Sequence, residues 1–184
     1  MNSQIPTTIS NKTPDKSGMR IKKLAISGML AALTVALSGF SIPVGASRCF
    51  PIQHLVNVLA AVFLGPVYGV SMAFCTSLIR NLMGTGSLLA FPGSMAGAFL
   101  SAFLFHKTGK LWLTCLGEII GTGIIGGVLC YPVAVFLMGK EVAVFFFVAP
   151  FLISTLAGTI MAAFLLVLLR RLNLFSYFVR LIED

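Results

Sequence analysis

The chain has 184 residues, of which 58% are hydrophobic and only 10% charged, and its mean hydropathy is +1.00. Soluble domains carry roughly 25% charged residues, and no soluble core of this size hides so many apolar side chains, so the composition reads as an integral membrane protein. The net charge of +8 is not a nucleic-acid signature, because the basic residues sit at segment ends and in the N-terminal tail, where they set orientation.

Residues 1–19 are polar and rich in Ser, Thr, Asn, Lys and Pro, which predicts a disordered cytoplasmic tail. The basic run Arg20, Lys22, Lys23 resembles the start of a signal peptide. The apolar run after it is about as long as a spanning helix needs, and no A-x-A cleavage site precedes a soluble domain. It is read as a retained first helix. Six spanning helices are predicted, at 22–40, 52–65, 67–83, 92–107, 111–138 and 143–170, giving an all-α membrane bundle over 20–172. The second, third and fourth fall short of the ~20 residues a bilayer requires, which predicts helices that stop part-way and leave a hollow. Gly65-Pro66 marks a tight turn, Gly84-Thr85-Gly86-Ser87 a flexible link, and Pro92 the first residue of helix four. The links 107–110 and 139–141 join helices four to five and five to six. Residues 173–184, with Tyr177, Phe178 and Arg180, form a cytoplasmic tail along the inner interface.

Orientation follows from the basic residues. With the N-terminus in the cytoplasm, ten lie inside and only Arg48, Arg80 and Lys140 outside, so both termini are predicted to be cytoplasmic. Gln53, His54, Arg80, Asn81 and the glycine link then fall near the outer face, and the expected pocket opens outward. No inverted repeat is visible.

Polar groups at such depth are costly in hydrocarbon and must face a cavity or a partner. Gln53 and Asn57 share a helix face, with His54 about 100° round; together they offer amide and imidazole groups to a small polar or heteroaromatic ligand, or act as interhelical glue. Arg80 and Asn81 read equally as a donor pair facing the pocket and as a snorkelling end. Arg48 reads as a plain loop charge. Glu118 is the only acid well inside a predicted span. It is protonated, or paired with Arg80 or His54, or in contact with ligand. Ser87 belongs to the glycine link, Phe91 offers a ring for stacking, and Tyr131 precedes Pro132, which predicts a kink near the pocket. Trp112 reads as an inner-interface anchor. Cys49, Cys75, Cys115 and Cys130 show no CxxC spacing and read as small hydrophobes, so neither a disulfide nor a metal site is expected. No nucleotide-binding loop, metalloprotease motif or catalytic triad is present, and neither enzyme activity nor a cofactor is predicted. On helix one, Gly28, Ala32 and Ala36 recur every fourth residue, a pattern that lets another helix approach closely.

Three stretches carry a family resemblance: PIQHLVNVLAAVFLGPVYG (51–69), SLIRNLMGTGSLLAFPGSMAGA (77–98) and GEIIGTGIIGG (117–127). They resemble the ThiW family, a substrate-binding S component of energy-coupling factor (ECF) transporters, over about 20–170. The resemblance implies capture of the thiamine precursor hydroxyethylthiazole at the plasma membrane of a prokaryote. It also implies docking, through the AxxxA pattern at Ala32–Ala36, on an EcfT-type coupling subunit that carries two ATPase subunits. His54 or Asn57 would then donate to the ring nitrogen, and Gln53, Asn81 or Glu118 would meet the hydroxyl. The competing readings are an S component for thiamine or its pyrimidine precursor, a stand-alone secondary transporter, and a membrane scaffold that binds nothing small.

Overall fold

The structure, a computed structural model, describes residues 16–44 and 47–183; most of the predicted N-terminal tail lies outside them. Helices occupy the positions of all six predicted segments. They are α1 (Lys16–Ala36), α2 (Pro51–Phe63), α3 (Pro66–Leu82), α4 (Ala90–Thr108), α5 (Leu111–Leu137) and α6 (Val148–Arg171), followed by a short α7 (Leu174–Glu183). Among the described residues, three segments are long and apolar enough to cross a membrane unaided: Ser17–Gly39, Leu111–Leu137 and Val148–Arg171. The 13 residues of α2 span only about 20 Å, less than the ~30 Å of a hydrocarbon core.

α2 is short yet central. It packs against α1, α3, α4, α5 and α6, and its Val56, Val58 and Ala60 are completely buried. Lipid tails are as apolar as these side chains, so close van der Waals contact, rather than exclusion from water, must hold the helices together. The approach of α6 to α2 shows how tight that contact is. A Cβ placed on Gly158 would overlap the carbonyl oxygen of Pro51 and lie 2.8 Å from the Cβ of His54. Only glycine lets the two backbones meet at the residue that carries the imidazole.

The turn between α2 and α3 is the one the dipeptide predicts: Gly65 takes φ +84° and Pro66 opens α3, where its missing N–H costs nothing. Elsewhere the boundaries moved. α1 starts at Lys16 and ends in a 3₁₀ turn, Leu37–Gly39. The loop expected before α2 contains a two-stranded antiparallel hairpin, β1 (Ile42–Val44) with β2 (Ser47–Cys49), pairing Ile42 with Cys49. The Cys49 Sγ donates to the carbonyl of Pro150 at 3.2 Å, pinning the hairpin to α6, and burial pushes its thiol up from the ordinary range. α6 starts five residues later than predicted, because 143–148 is turned: Phe146 N–H bonds Ala143 O and Val148 N–H bonds Phe145 O. Pro150 then sits in the first helical turn, where proline is tolerated.

α5 is not a uniform α-helix. It widens into π turns over Ile119–Gly126 and again over Val133–Leu137. The second wide segment follows Pro132, which has no N–H to continue the α ladder. The predicted C-terminal tail is the docked helix α7. The rings of Phe175 and Phe178 lie 5.4 and 6.2 Å from that of Phe63 at the end of α2, and Ile182 is buried.

Candidate functional site

The polar residues of α2 are buried, with Gln53 at 4%, His54 at 5% and Asn57 at 1% exposure, and they serve two different partners. Glu118 on α5, fully buried, gathers three of the hydrogen bonds on one oxygen. Its Oε1 lies 3.0 Å from His54 Nδ1, from Asn57 Nδ2 and from Thr122 Oγ1. Asn57 Nδ2 also donates to the Ser94 carbonyl at 3.3 Å. A carbonyl can only accept, so this identifies the amide nitrogen. Glu118 Oε1 therefore accepts from Asn57, and as a carboxylate oxygen it would take its third bond from the Nδ1–H of His54. Of the two pairing partners open to Glu118 in the sequence, the geometry shows His54 and not Arg80.

Gln53 turns the other way. Its Oε1 accepts from the Arg80 guanidinium, and its Nε2 donates to Ser77 Oγ at 3.2 Å. Ser77 meets Ser94 Oγ at 2.9 Å, and Ser94 donates to the Ala90 carbonyl at 2.8 Å. Arg80 is 1% exposed, which excludes the snorkelling reading. Its guanidinium sits 3.8 Å from the centre of the Phe50 ring, a favourable cation–π arrangement, and it meets no carboxylate among the described residues. The glycine link beyond it is tied down rather than loose: the N–H groups of Thr85 and Gly86 both donate to the Arg80 carbonyl at 2.9 Å. Ser38 Oγ donates to Thr85 Oγ1 at 3.1 Å.

The result is a continuous polar seam from Ser38 to Thr122. It is not fully satisfied. Asn57 Oδ1, Arg80 Nε and Glu118 Oε2 are buried without a partner, each at a cost of about 1–3 kcal/mol. Unsatisfied groups gathered at one place in a membrane protein mark a candidate functional site.

Two hollows adjoin the seam. The inner one measures about 30 Å³ and is lined by Gln53, His54, Ser94, Thr122 and Ser154, among others. The outer one measures about 320 Å³ and is lined by the Gly84–Ser87 link, Leu89, Lys140 and Phe147. They share Arg48, Phe50, Ala90 and Phe151 as walls. An open groove of about 740 Å³ lies along Lys110, Trp112 and Arg170 and contains none of the seam residues.

Of the residues singled out in the sequence, Gln53 and His54 line the inner hollow and Ser87 the outer one. Asn57, Arg80 and Glu118 belong to the seam behind them. Asn81, Phe91 and Tyr131 line neither hollow; the Phe91 ring instead lies 5.6 Å from that of Phe74. Sequence reasoning missed Phe50, Ser94, Thr122, Phe151 and Ser154, and took Arg48 for a loop charge although it borders both hollows. The signal for Thr122 was its place one turn after Glu118. Ser94 and Ser154 were legible only as hydroxyls in apolar helices.

Away from the seam, Gly28, Ala32 and Ala36 lie on the exposed side of α1. A Cβ added at Gly28 would meet nothing within 4 Å. Met29 beside them is 72% exposed.

Apolar helices of spanning length, packed around a buried polar seam, define a multi-pass membrane protein. Residues 24–172 match the family described as thiamine-precursor transporter protein (ThiW), and the chain belongs to that family. No curated protein and no solved structure matches it.

Proposed function

We propose that this chain is the substrate-binding S component of an ECF transporter in a prokaryotic plasma membrane, capturing hydroxyethylthiazole from outside. The observation that carries the reading is the incompletely satisfied polar seam beside two adjoining hollows. Thiamine-precursor transport is the family's activity. A thiazole ring with a short hydroxylated side chain suits a hollow of about 320 Å³, near the lower end of the range for small-molecule sites. Phe50, Phe147 and Phe151 offer faces for the ring, and Gln53, His54 and Ser87 offer polar contacts. Asn57, Arg80 and Glu118 support them from behind. Phe91 and Tyr131 line neither hollow, and neither does Asn81, whose Nδ2 is buried without a partner among the described residues.

The hollow lies at the Arg48 and Lys140 end, which the distribution of basic residues places outside. Uptake would then be driven by two ATPase subunits through an EcfT-type coupling subunit. The bare face of α1 at Gly28, Ala32 and Ala36 suits a closely approaching partner helix. Calorimetry on the purified protein with hydroxyethylthiazole, thiamine and the aminopyrimidine precursor tests the ligand. Tightest binding should be to the thiazole, and tighter binding to either of the others would overturn that choice.

One observation favours a stand-alone secondary transporter instead, since buried pairs like His54–Glu118 carry protons in carriers. Accumulation of substrate by proteoliposomes holding this chain alone would decide for that alternative.

A further inference from the structure

The inner hollow is too small for a heterocycle. At about 30 Å³ it has room for a water-sized group such as a hydroxyl. Two groups in its lining, the Nε2 of His54 and the hydroxyl proton of Ser154, are complementary to a hydroxyl. His54 spends Nδ1 on Glu118, which leaves Nε2 as its uncommitted ring nitrogen. Nε2 has no hydrogen-bond partner among the described residues, and His54 lines this hollow. Ser154 Oγ accepts the N–H of Phe50 at 2.8 Å, and its own proton has no partner among the described residues.

We infer that the inner hollow is a hydroxyl subsite that selects ligands carrying a primary alcohol, with the ring held in the adjoining outer hollow. The alcohol donates to His54 Nε2 and accepts from Ser154 Oγ. Glu118 is a positioning residue: by engaging Nδ1 it fixes the imidazole so that Nε2 accepts. This reverses the expectation that His54 donates to a ring nitrogen. A ligand without the hydroxyl would leave both atoms unsatisfied, and sites built to bond a hydroxyl reject such analogues strongly.

The inference rests on the capture function proposed above but not on the choice of ligand, because hydroxyethylthiazole, thiamine and the aminopyrimidine alcohol all carry a primary hydroxyl. The test is calorimetry with each parent compound and its deoxy analogue, in which an alkyl group replaces the hydroxyalkyl group. Whichever parent binds most tightly should lose about 100-fold in affinity on losing its hydroxyl, the worth of two ordinary hydrogen bonds. His54→Gln, which places an amide where Nε2 stands, should retain more affinity than His54→Asn, whose amide replaces Nδ1. Ser154→Ala should cost about 10-fold with any parent and nothing with its deoxy analogue. Equal binding of a parent and its deoxy analogue overturns the hydroxyl subsite while leaving the capture function standing. Preference for thiamine or the pyrimidine, with the deoxy penalty intact, overturns only the thiazole assignment. Binding of none of the three overturns both.

Discussion

The seam between α2 and α5 and the outer face of α1 belong to the same apolar protein, and they follow opposite rules. In the seam every polar atom removed from water must find a partner or cost about 1–3 kcal/mol, so His54, Asn57 and Thr122 converge on one carboxylate oxygen of Glu118. Along α1, Gly28, Ala32 and Ala36 are exposed and carry no polar side chain, so lipid can cover them without penalty. Partners are thus compulsory in one region and optional in the other. A change in the seam should damage the isolated protein. A change on the bare face should show only when a partner is present.

The largest effect is expected at the junction of the seam. Glu118→Ala removes the acceptor of three hydrogen bonds together, and at about 0.6–1.7 kcal/mol for each membrane hydrogen bond should cost about 2–5 kcal/mol of stability. Thermal unfolding in detergent measures it, and Glu118→Gln, which keeps an acceptor, should recover more than half. If alanine were as stable as wild type, the polar seam would not hold these helices together.

Next comes the pair at the outer end of the seam. Gln53→Leu strands the Arg80 cation without its side-chain acceptor, and an uncompensated buried charge should cost about 3 kcal/mol. Arg80→Met removes the cation itself and should cost less, about 1–2 kcal/mol, for the lost contacts with Gln53 and Phe50. The reverse order would show that stacking on Phe50, rather than the glutamine amide, is what accommodates the arginine.

The smallest effect on the isolated protein belongs to α1. Gly28→Leu meets open space and should change unfolding by no more than about 0.5 kcal/mol, leaving ligand affinity untouched. Reconstituted with coupling and ATPase subunits, the same variant should lose ATP-driven uptake. Full uptake would assign the coupling face elsewhere.

Helix positions were legible because apolar runs and Gly-Pro punctuation are local signals. Gly65-Pro66 and Pro66 at the head of α3 needed nothing beyond the dipeptide. The polar residues to watch were legible too, since Gln53, His54, Asn57, Arg80 and Glu118 stand out against hydrocarbon. Which of them pair was not, because pairing is set by how α2, α3, α4 and α5 cross. Phe91 and Phe50 show the same limit. Both are aromatic and flank polar motifs, but only Phe50 faces the hollows. The direction in which a side chain points depends on helix rotation, which sequence spacing leaves open. The pairing of β1 with β2 and the late start of α6 were hidden for a related reason: the bond from Cys49 to Pro150 joins segments 101 residues apart.

The wide turns of α5 also act as a phase correction. Its inward positions, Thr114, Glu118, Thr122, Gly126, Cys130 and Ala134, recur every fourth residue and are all buried. In an unbroken α-helix each stride of four overshoots a full turn by about 40°, so over five strides Ala134 would come to face nearly opposite Thr114. The π segments hold more residues per turn and take that drift out while the chain advances. One edge of α5 therefore serves two clients, the carboxylate at Glu118 and the cluster of Leu89, Cys130, Ala134 and Phe147, as a vernier keeps two scales aligned.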